Sequence, residues 1–372
     1  MNTDVDFLWA LVSGALTLLM AVGIGAVVEG LSRRRSVSTG AGRHLATTAG
    51  AVAGAIISTM WFGEMLFDES VFDDATSGVA EQSHLWVLMS SSVVLATVVS
   101  GGVVERATFA AHAAIGVVVG AVIVPGVEWA QRSDGILSSI AVDGEGFTGA
   151  AAATVFAVSG WMALVGVMVI GPRHGRLSAD GSVRVVPGKS MPAAALGALI
   201  VLATSVGLAN RPAFGWNDSL VEVAPLLALS AAVGATVAVV FGWQQMGASS
   251  TASLVHGGIA GIVASLGAPL ELTVLRAVVV GAVGSLLAVI AIRLVERARI
   301  DDPVGVVGAF GVAGVWGTIA GATNGSAVVA QLAGTMILAA WAIVVAGVLF
   351  GGLRVIRLLR VSSDVEVVGL EN

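Results

Sequence analysis

The chain has no cysteine and few charged side chains among its 372 residues. The absence of cysteine excludes disulfides, thiolate metal sites and cysteine nucleophiles, although it does not identify a compartment. Charged residues make up 11% of the chain, against about 25% in an ordinary soluble domain. Lysine occurs once, as Lys189, and the net charge is −6. This acidic balance argues against nucleic acid as a partner.

Hydrophobic residues, by contrast, make up 56% of the chain, and 49 residues are glycine. A soluble protein has no use for this much apolar surface, because most residues of a globule lie near water. In lipid, glycine and other small residues allow helices to approach one another closely. The sequence also lacks a complete phosphate-binding loop of the form Gly-x-x-x-x-Gly-Lys-Ser, because Val183 stands where the first glycine would precede Gly188-Lys189-Ser190, and it lacks a zinc-binding His-Glu pattern and a nucleophile elbow. We therefore expect a membrane protein with no cofactor, and not an enzyme.

Apolar stretches of about 18 residues or more recur along the chain, and each can cross the hydrocarbon core as a helix. Acidic residues precede the first stretch and three arginines follow it, which favours a retained span over a signal peptide. Only Glu105, Arg106 and Ala107 separate the third and fourth stretches, so we expect a tight helical hairpin there. The predicted fold class is all-α and polytopic, with eleven spans at 7–28, 45–66, 85–104, 108–127, 148–171, 191–209, 220–243, 249–267, 273–295, 303–323 and 327–353.

Basic residues are distributed unequally between the two sets of loops. If the N-terminus lies outside, fifteen basic residues fall in cytoplasmic segments, whereas outer segments hold only Arg132 and Arg211, with Arg276 near an outer helix end. Cytoplasmic loops retain arginine and lysine, so this bias predicts an N-out, C-in protein of the plasma membrane and an odd number of spans. The outer loops are acidic, which indicates either a solvated face or a negative mouth that concentrates cations.

Five sequence motifs occur in order along this eleven-span frame, and together they resemble the ammonium transporter family (Amt/Mep/Rh). The first is an opening span that begins near Trp9 and leaves through an arginine cluster after Glu29-Gly30-Leu31. The other four are Ser100-Gly101-Gly102-Val103-Val104-Glu105-Arg106 between the third and fourth spans, Phe214-Gly215-Trp216-Asn217 before the seventh, Gly257-Gly258-Ile259-Ala260-Gly261 in the eighth, and Asp301-Asp302-Pro303 through Phe310-Gly311 to Trp316-Gly317 in the tenth.

The resemblance implies a particular architecture. Family members have two inverted five-helix repeats and a long final helix, and they assemble as homotrimers with a pore in each subunit. Repeat 1 would cover about 7–171, repeat 2 about 191–323 and the last helix about 327–357, with a short cytoplasmic tail at 358–372. Because five spans is an odd number, the second copy must run inverted, and inverted repeats place a solute path at their interface.

The family mechanism implies two histidines in the pore, and this sequence departs from it. Ammonium is caught by an outer aromatic cage and deprotonated, and ammonia then crosses a narrow apolar lumen past the two histidines. The flanking glycines place Phe310 at the second histidine position. For the first position, counting back from Gly160 gives Phe156, whereas counting forward from Gly149 gives a residue nearer Thr154. Neither residue is histidine, so we expect a member without the twin pair.

The outer cage and the upper gate also differ from the family pattern. Trp216, followed by Asn217, replaces one aromatic of the cage, and Trp129 is a candidate for another. The upper phenylalanine gate position falls on Ser91. The family serine below the cage maps to Leu220, or to Ser219 if the loop is one residue shorter. Glu145 is a candidate for the aspartate before the fifth span, with a poorer match in spacing.

Other polar residues in or beside the spans have two interpretations. His256, in the eighth span, is either bonded to a neighbouring backbone or a compensating pore ligand, and His112 is expected to be structural. Glu105 is expected to pair with Arg106 or a helix N-terminus. Asp301-Asp302-Pro303 is typical of a helix start, with aspartate as the cap and proline at the first helical position.

The resemblance implies ammonium/ammonia transport through a pore within each subunit, with the lipid bilayer as surroundings. Two alternatives stay open: an ammonium-binding sensor or non-conducting relative, and a channel for another small neutral solute. Phenylalanines at both histidine positions favour the first alternative. The segment from Val365 to Glu371 resembles the start of the family's tail, and the chain ends at Asn372. We therefore expect a truncated link between subunits, and a PII-type regulator is left open as a partner.

Overall fold

The computed structural model describes residues 3–33, 37–66, 79–132, 134–176, 184, 188–209, 218–246 and 250–368. These residues form an all-α polytopic membrane protein with one short antiparallel hairpin, β1 Ala141–Val142 and β2 Glu145–Gly146. We number the helices in chain order: α1 Thr3–Leu31, α2 Val37–Leu66, α3 Val79–Val103, α4 Phe109–Gln131, α5 Ala152–Ile170, α6 Met191–Leu208, α7 Leu220–Met246, α8 Thr251–Ser265, α9 Val274–Arg297, α10 Val307–Ala320, α11 Gly325–Val355 and α12 Ser363–Val368.

Eleven of these helices coincide with the predicted spans. Within the described ranges, nine of them have 18 or more residues and are apolar enough to cross a membrane. The remaining two, α8 and α10, are also apolar but shorter, with 15 and 14 residues. They are shorter than the predicted spans 249–267 and 303–323. The sharp hairpin between the third and fourth spans is confirmed, because α3 ends at Val103 and α4 begins at Phe109.

The start of α10 corrects one prediction. Pro303 does not occupy the first helical position, since it lies in a bend and α10 begins four residues later, at Val307. Gly305 adopts a φ of +74°, which is a left-handed conformation that glycine accepts without strain. The predicted aspartate cap is confirmed only in part, because Val306 is the N-cap residue, although Asp302 still accepts from the first N–H of the helix. The Asp302 carboxylate accepts hydrogen bonds from the backbone N–H groups of Val304, Gly305 and Val307.

Helix packing follows the same pattern in the two halves of the chain. In the first half, α2 packs against α3 and α4, and α3 packs against α5. In the second half, α7 packs against α8 and α9, and α8 packs against α10. The long contact between α1 and α6 joins the halves, and α11 lies along α5. The centre of the molecule is therefore formed where α5 meets α10.

Glycines make several of these contacts possible. In the α2–α4 contact, a methyl group added to Gly116 or Gly120 would lie 2.2 Å from a backbone oxygen of α2. A side chain at either position would force the helices apart. Small residues thus allow the close packing on which helix association depends in lipid, because no hydrophobic force drives helices together there.

The loops meet in two groups at opposite ends of the helices. At one end, residues that follow α1, α3, α5 and α9 share a set of ion pairs, including Glu105, Arg173 and Asp301. At the other end, Glu145 of β2 accepts a hydrogen bond from Asn324, which precedes α11, at 2.7 Å. This grouping is what an alternating eleven-span chain requires. Which end faces the cytoplasm stays a prediction from the arginine bias.

Candidate solute pathway

The two phenylalanines predicted at the pore-histidine positions lie against each other at the centre of the molecule. Phe156 and Phe310 are stacked, with ring centroids 5.8 Å apart and ring planes 27° apart. Both side chains are almost fully buried, at 1% and 2% exposure. Each belongs to a π-helical turn that opens its helix, Ala152–Ala157 in α5 and Val307–Val312 in α10. Such turns inside helices often mark functional positions.

The rings meet because two glycines allow α5 and α10 to touch through their backbones. A methyl group added to Gly160 would lie 2.1 Å from the Cα atom of Gly311. Gly314 is packed equally tightly, with a backbone oxygen of Ala152 2.4 Å from the position of a Cβ atom. No side chain fits between the two helices at this crossing. The aromatic pair is therefore held by the backbone contact beside it.

This contact can be tested by adding one methyl group. Gly160→Ala is expected to separate α5 from α10, to displace the aromatic pair and to destabilise the protein by about 1–3 kcal/mol, as overpacking does. The measurement is the thermal unfolding midpoint in detergent, together with solute flux. Gly347→Ala is the matched control, because no atom lies within 4 Å of a Cβ at that position of α11. Equal midpoints for the two variants would contradict the close crossing.

His256 does not join the aromatic pair. Its Nε2 atom lies 2.8 Å from the backbone oxygen of Val304, so this nitrogen donates a proton to a carbonyl in the loop before α10. The interpretation as a histidine bonded to a neighbouring backbone is thus supported. The side chain also lines a cavity of about 180 Å³ near the α9–α10 loop, together with Arg176, Glu296 and Asp302. His256 is therefore placed at the end of α10 where the helix begins, near the ion pairs.

The charged residues at this end form a buried network around Arg173. The Arg173 guanidinium donates two hydrogen bonds to the Asp301 carboxylate at 2.8 Å and one to Glu105 at 2.6 Å. Arg173 and Asp301 are each 4% exposed. The prediction that Glu105 pairs with Arg106 or a helix N-terminus is wrong. Its side-chain partners are Arg173 and Arg33, whereas Arg106 pairs with Asp301 at 3.5 Å.

The predicted pair of Glu105 with Arg106 does not form, for two physical reasons. Adjacent residues in the turn after α3 point in different directions, so Glu105 and Arg106 reach different loops. Arginine presents several donors in a planar fork and can therefore bridge two carboxylates. Arg173 uses this property to connect Glu105 in the first half of the chain with Asp301 in the second. The network thus fixes the two halves relative to each other at one end of the pathway.

The network predicts how acid affects stability. Burial alone would raise the pKa of Asp301, but hydrogen bonds and charge from Arg173, with the charge of Arg106, outweigh it and hold that pKa at about 2. The pKa is below its ordinary value of 3.8, so the carboxylate stabilises the fold fully above that pH. The contribution disappears as the pH falls through about 2.

We expect the free energy of unfolding of Asp301→Asn to vary less with pH than that of the wild type, by about 2 kcal/mol between roughly pH 4 and pH 2. Burial raises the pKa of the neighbouring Asp302, so its own contribution runs in the opposite direction. That contribution is common to both proteins and cancels in the comparison. Parallel pH profiles for the two proteins would show that Asp301 is not stabilised as an anion.

The residues predicted for the outer cage and gate are only partly described. Trp216 and Asn217 lie outside the described residues, so the cage stays a prediction. Trp129 is 41% exposed near the end of α4, and Ser219 is exposed just before α7. Leu220, the alternative to Ser219, is the buried member of that pair. Ser91 is fully buried within α3.

Two further residues have structural roles in the described contacts. The Ser100 hydroxyl and the His112 Nδ1 atom form a hydrogen bond at 2.6 Å, in agreement with the structural role predicted for His112. Glu145 accepts a hydrogen bond from Asn324 at the start of α11, and its equivalence to the aspartate before the fifth span stays a prediction. Sequence reasoning missed Arg43, which is buried in α2. The sequence feature that could have indicated it is a basic residue two positions before the predicted span 45–66.

Comparison with known proteins adds independent findings. A sequence model of the Ammonium Transporter Family matches residues 8–372. The chain is 32% identical to "Ammonium transporter Amt1" of Haloferax mediterranei, over 99% of this chain and 77% of that protein. It is 28% identical to "Ammonium transporter Amt2" of Archaeoglobus fulgidus, over 99% and 86% of the two chains.

Solved structures share the fold at lower sequence identity. A "Sensor Amt Protein" superposes with a TM-score of 0.89 at 22% identity, over 99% of this chain and 97% of that one. Mep2 of Candida albicans superposes with a TM-score of 0.79 at 21% identity, over 97% and 87% of the two chains. At these identities the likeness concerns the arrangement of the helices.

Proposed function

The chain belongs to the ammonium transporter family, and from that membership we propose that neutral ammonia is the species that passes between α5 and α10. The protein is a transporter of ammonium/ammonia and not an enzyme. The observation that supports the choice of species is the stacked pair of Phe156 and Phe310. Two benzene rings offer no hydrogen-bond donor or acceptor along the narrowest part of the proposed path.

The energetics of desolvation favour the neutral molecule at this pair. Moving a cation from water into an apolar site costs several kcal/mol or more of solvation free energy. Attraction to an aromatic face returns only about 0.5–2 kcal/mol. Ammonia carries no charge and loses only hydrogen bonds. A path closed by Phe156 and Phe310 therefore discriminates against ammonium and against protons, since neither ring carries a titratable group that could relay a proton.

The assembly and location follow as further parts of the proposal. We propose two inverted repeats, at about 7–171 and 191–323, and a last helix at about 327–357, which the matching packing of the two halves supports. The pathway lies inside one subunit, and a homotrimer in the plasma membrane is proposed from family membership. In the described part of the tail, Glu366 is bonded to Arg360 of the same chain and to the backbone N–H of His174. A PII-type regulator would have to bind beside this contact.

Flux measurements test the proposed transport. Purified protein in vesicles is exposed to an ammonium gradient, and the internal pH is followed by stopped-flow fluorescence. We expect alkalinisation faster than in empty vesicles, because ammonia that enters takes up a proton inside. A competition panel with methylamine, carbon dioxide and water identifies any other neutral solute that shares the path. Flux equal to that of empty vesicles would remove the transport proposal.

A second function is favoured by the burial of the aromatic pair. Rings that are 1% and 2% exposed leave little free space between them. A chain that binds ammonium at its outer mouth without conducting it would have this feature. The same purified protein distinguishes the two functions: a non-conducting binder shows a higher unfolding midpoint in ammonium than in sodium, without any flux. Robust flux excludes it.

A further inference from the structure

Arg43 is a buried cation with most of its hydrogen-bonding capacity unused. It lies in α2, one turn inside the span that begins at Gly40, and it is 1% exposed. Its Nη1 atom donates to the backbone oxygen of Val104, at the end of α3. Its Nε and Nη2 atoms are buried and have no hydrogen-bond partner. Buried donors without acceptors are rare in native proteins, and each costs about 1–3 kcal/mol.

The positive charge of Arg43 is not balanced by a direct ion pair in the described residues. The two carboxylates that act on it most strongly are Glu29 and Glu105. Glu29 forms an ion pair with Lys189. Glu105 is bound by Arg33 and Arg173. Both carboxylates are therefore already matched by other cations, and Arg43 remains as an excess buried charge.

A small cavity lies beside Arg43. Arg43 and Glu29 line it together with His44, Thr97 and Ser100. Its volume is about 10 Å³, which is space for one water-sized particle. The Ser100 hydroxyl already bonds to His112 and Thr47. The cavity thus combines a charged wall with unsatisfied donors and room for a single occupant.

We propose that this cavity holds a single monatomic anion of the halide class, and chloride is the ion with which the proposal is tested. A water molecule could accept the two N–H bonds but would leave the charge of Arg43 without a direct counter-charge in the protein interior. Glu29, which also lines the cavity, and the small volume exclude larger or more highly charged anions. The bound ion would connect the ends of α1, α2 and α3, remote from the aromatic pair.

Anion-dependent stability tests the site. The purified protein is unfolded thermally in chloride, bromide or gluconate at equal ionic strength. Ligand that binds only the folded state raises the midpoint, and we expect chloride and bromide to raise it by about 2–4 °C relative to gluconate, with saturation as the halide concentration increases. Equal midpoints in the three salts would overturn the proposal.

Variants and diffraction separate a specific site from a general salt effect. Arg43→Met is expected to fold without halide, because an apolar side chain of similar length removes the excess charge, and to lose the difference between salts. Arg297→Met, at an exposed position of α9, should keep it. If Arg43→Met does not fold, bromide-soaked crystals of the wild type decide the question. An anomalous peak beside the Arg43 guanidinium supports the site, whereas an ordered water without such a peak refutes it.

Discussion

Replacing both Phe156 and Phe310 with alanine is expected to increase ammonium-driven flux by about tenfold and to allow charge to cross. The two rings stack at 5.8 Å and fill the contact between the opening turns of α5 and α10. Their removal leaves space that water can enter, and hydrophobic constrictions control permeation by excluding water. A tenfold increase requires a barrier lowered by only about 1.4 kcal/mol. Stopped-flow alkalinisation measures the flux, and solid-supported membrane electrophysiology measures the charge.

Phe350→Ala is the matched control for this prediction. Phe350 is fully buried in α11, where its ring packs against Gly166 of α5 instead of lying at the crossing with α10. Its truncation leaves a cavity that lowers the free energy of unfolding by about 3–5 kcal/mol, as truncation of either stacked phenylalanine also does. The control should leave flux per folded protein unchanged. A double variant with wild-type flux would show that the aromatic pair does not limit permeation.

Replacing Arg173 with methionine is expected to have the largest effect on stability. Two carboxylates, on Asp301 and Glu105, would remain buried after their main hydrogen-bond donor is lost. Breaking a buried ion pair from one side costs about 3–5 kcal/mol. For a protein of this size, we expect the unfolding midpoint in detergent to fall by roughly 10 °C. The midpoint of Arg173→Lys should lie between those of the wild type and Arg173→Met, because an ammonium keeps the charge but cannot reproduce the forked contacts.

Two controls make this result specific. Arg297→Met removes an arginine from the same end of the molecule at an exposed position, and its midpoint should change little. Combining Arg173→Met with Asp301→Asn and Glu105→Gln removes the uncompensated charges and should recover part of the loss. If Arg173→Met unfolds at the wild-type temperature, the network does not hold the two halves together.

The order and approximate bounds of the spans could be predicted from the sequence because lipid imposes a long apolar run on each helix. Helix ends could not be predicted as well. The tenth helix begins later in the chain than predicted because the residues before it form a turn. In this turn the Asp302 carboxylate accepts hydrogen bonds from the N–H groups of Val304, Gly305 and Val307. That turn lies inside an apolar run, where hydropathy gives no indication of it.

The candidate site was predictable only where motifs fixed the register. The glycines around Phe310 fixed its register directly, whereas the sequence left the first position open between Phe156 and a residue nearer Thr154, and the contact between the two rings could not be predicted from it. Their equivalence to the pore histidines stays a prediction. Ion pairs such as Arg173 with Asp301, which are 128 residues apart in the chain, depend on how the two halves dock. No local pattern carries that information.

The charge moved per ammonia molecule tests the central claim most directly. Wild-type protein in vesicles is given the same ammonium step in two instruments, one that records internal alkalinisation and one that records transient current. A pathway closed to ions by Phe156 and Phe310 predicts rapid alkalinisation with no current above that of empty vesicles. A current that increases in proportion to the flux would contradict it, because charge would then be crossing with each molecule.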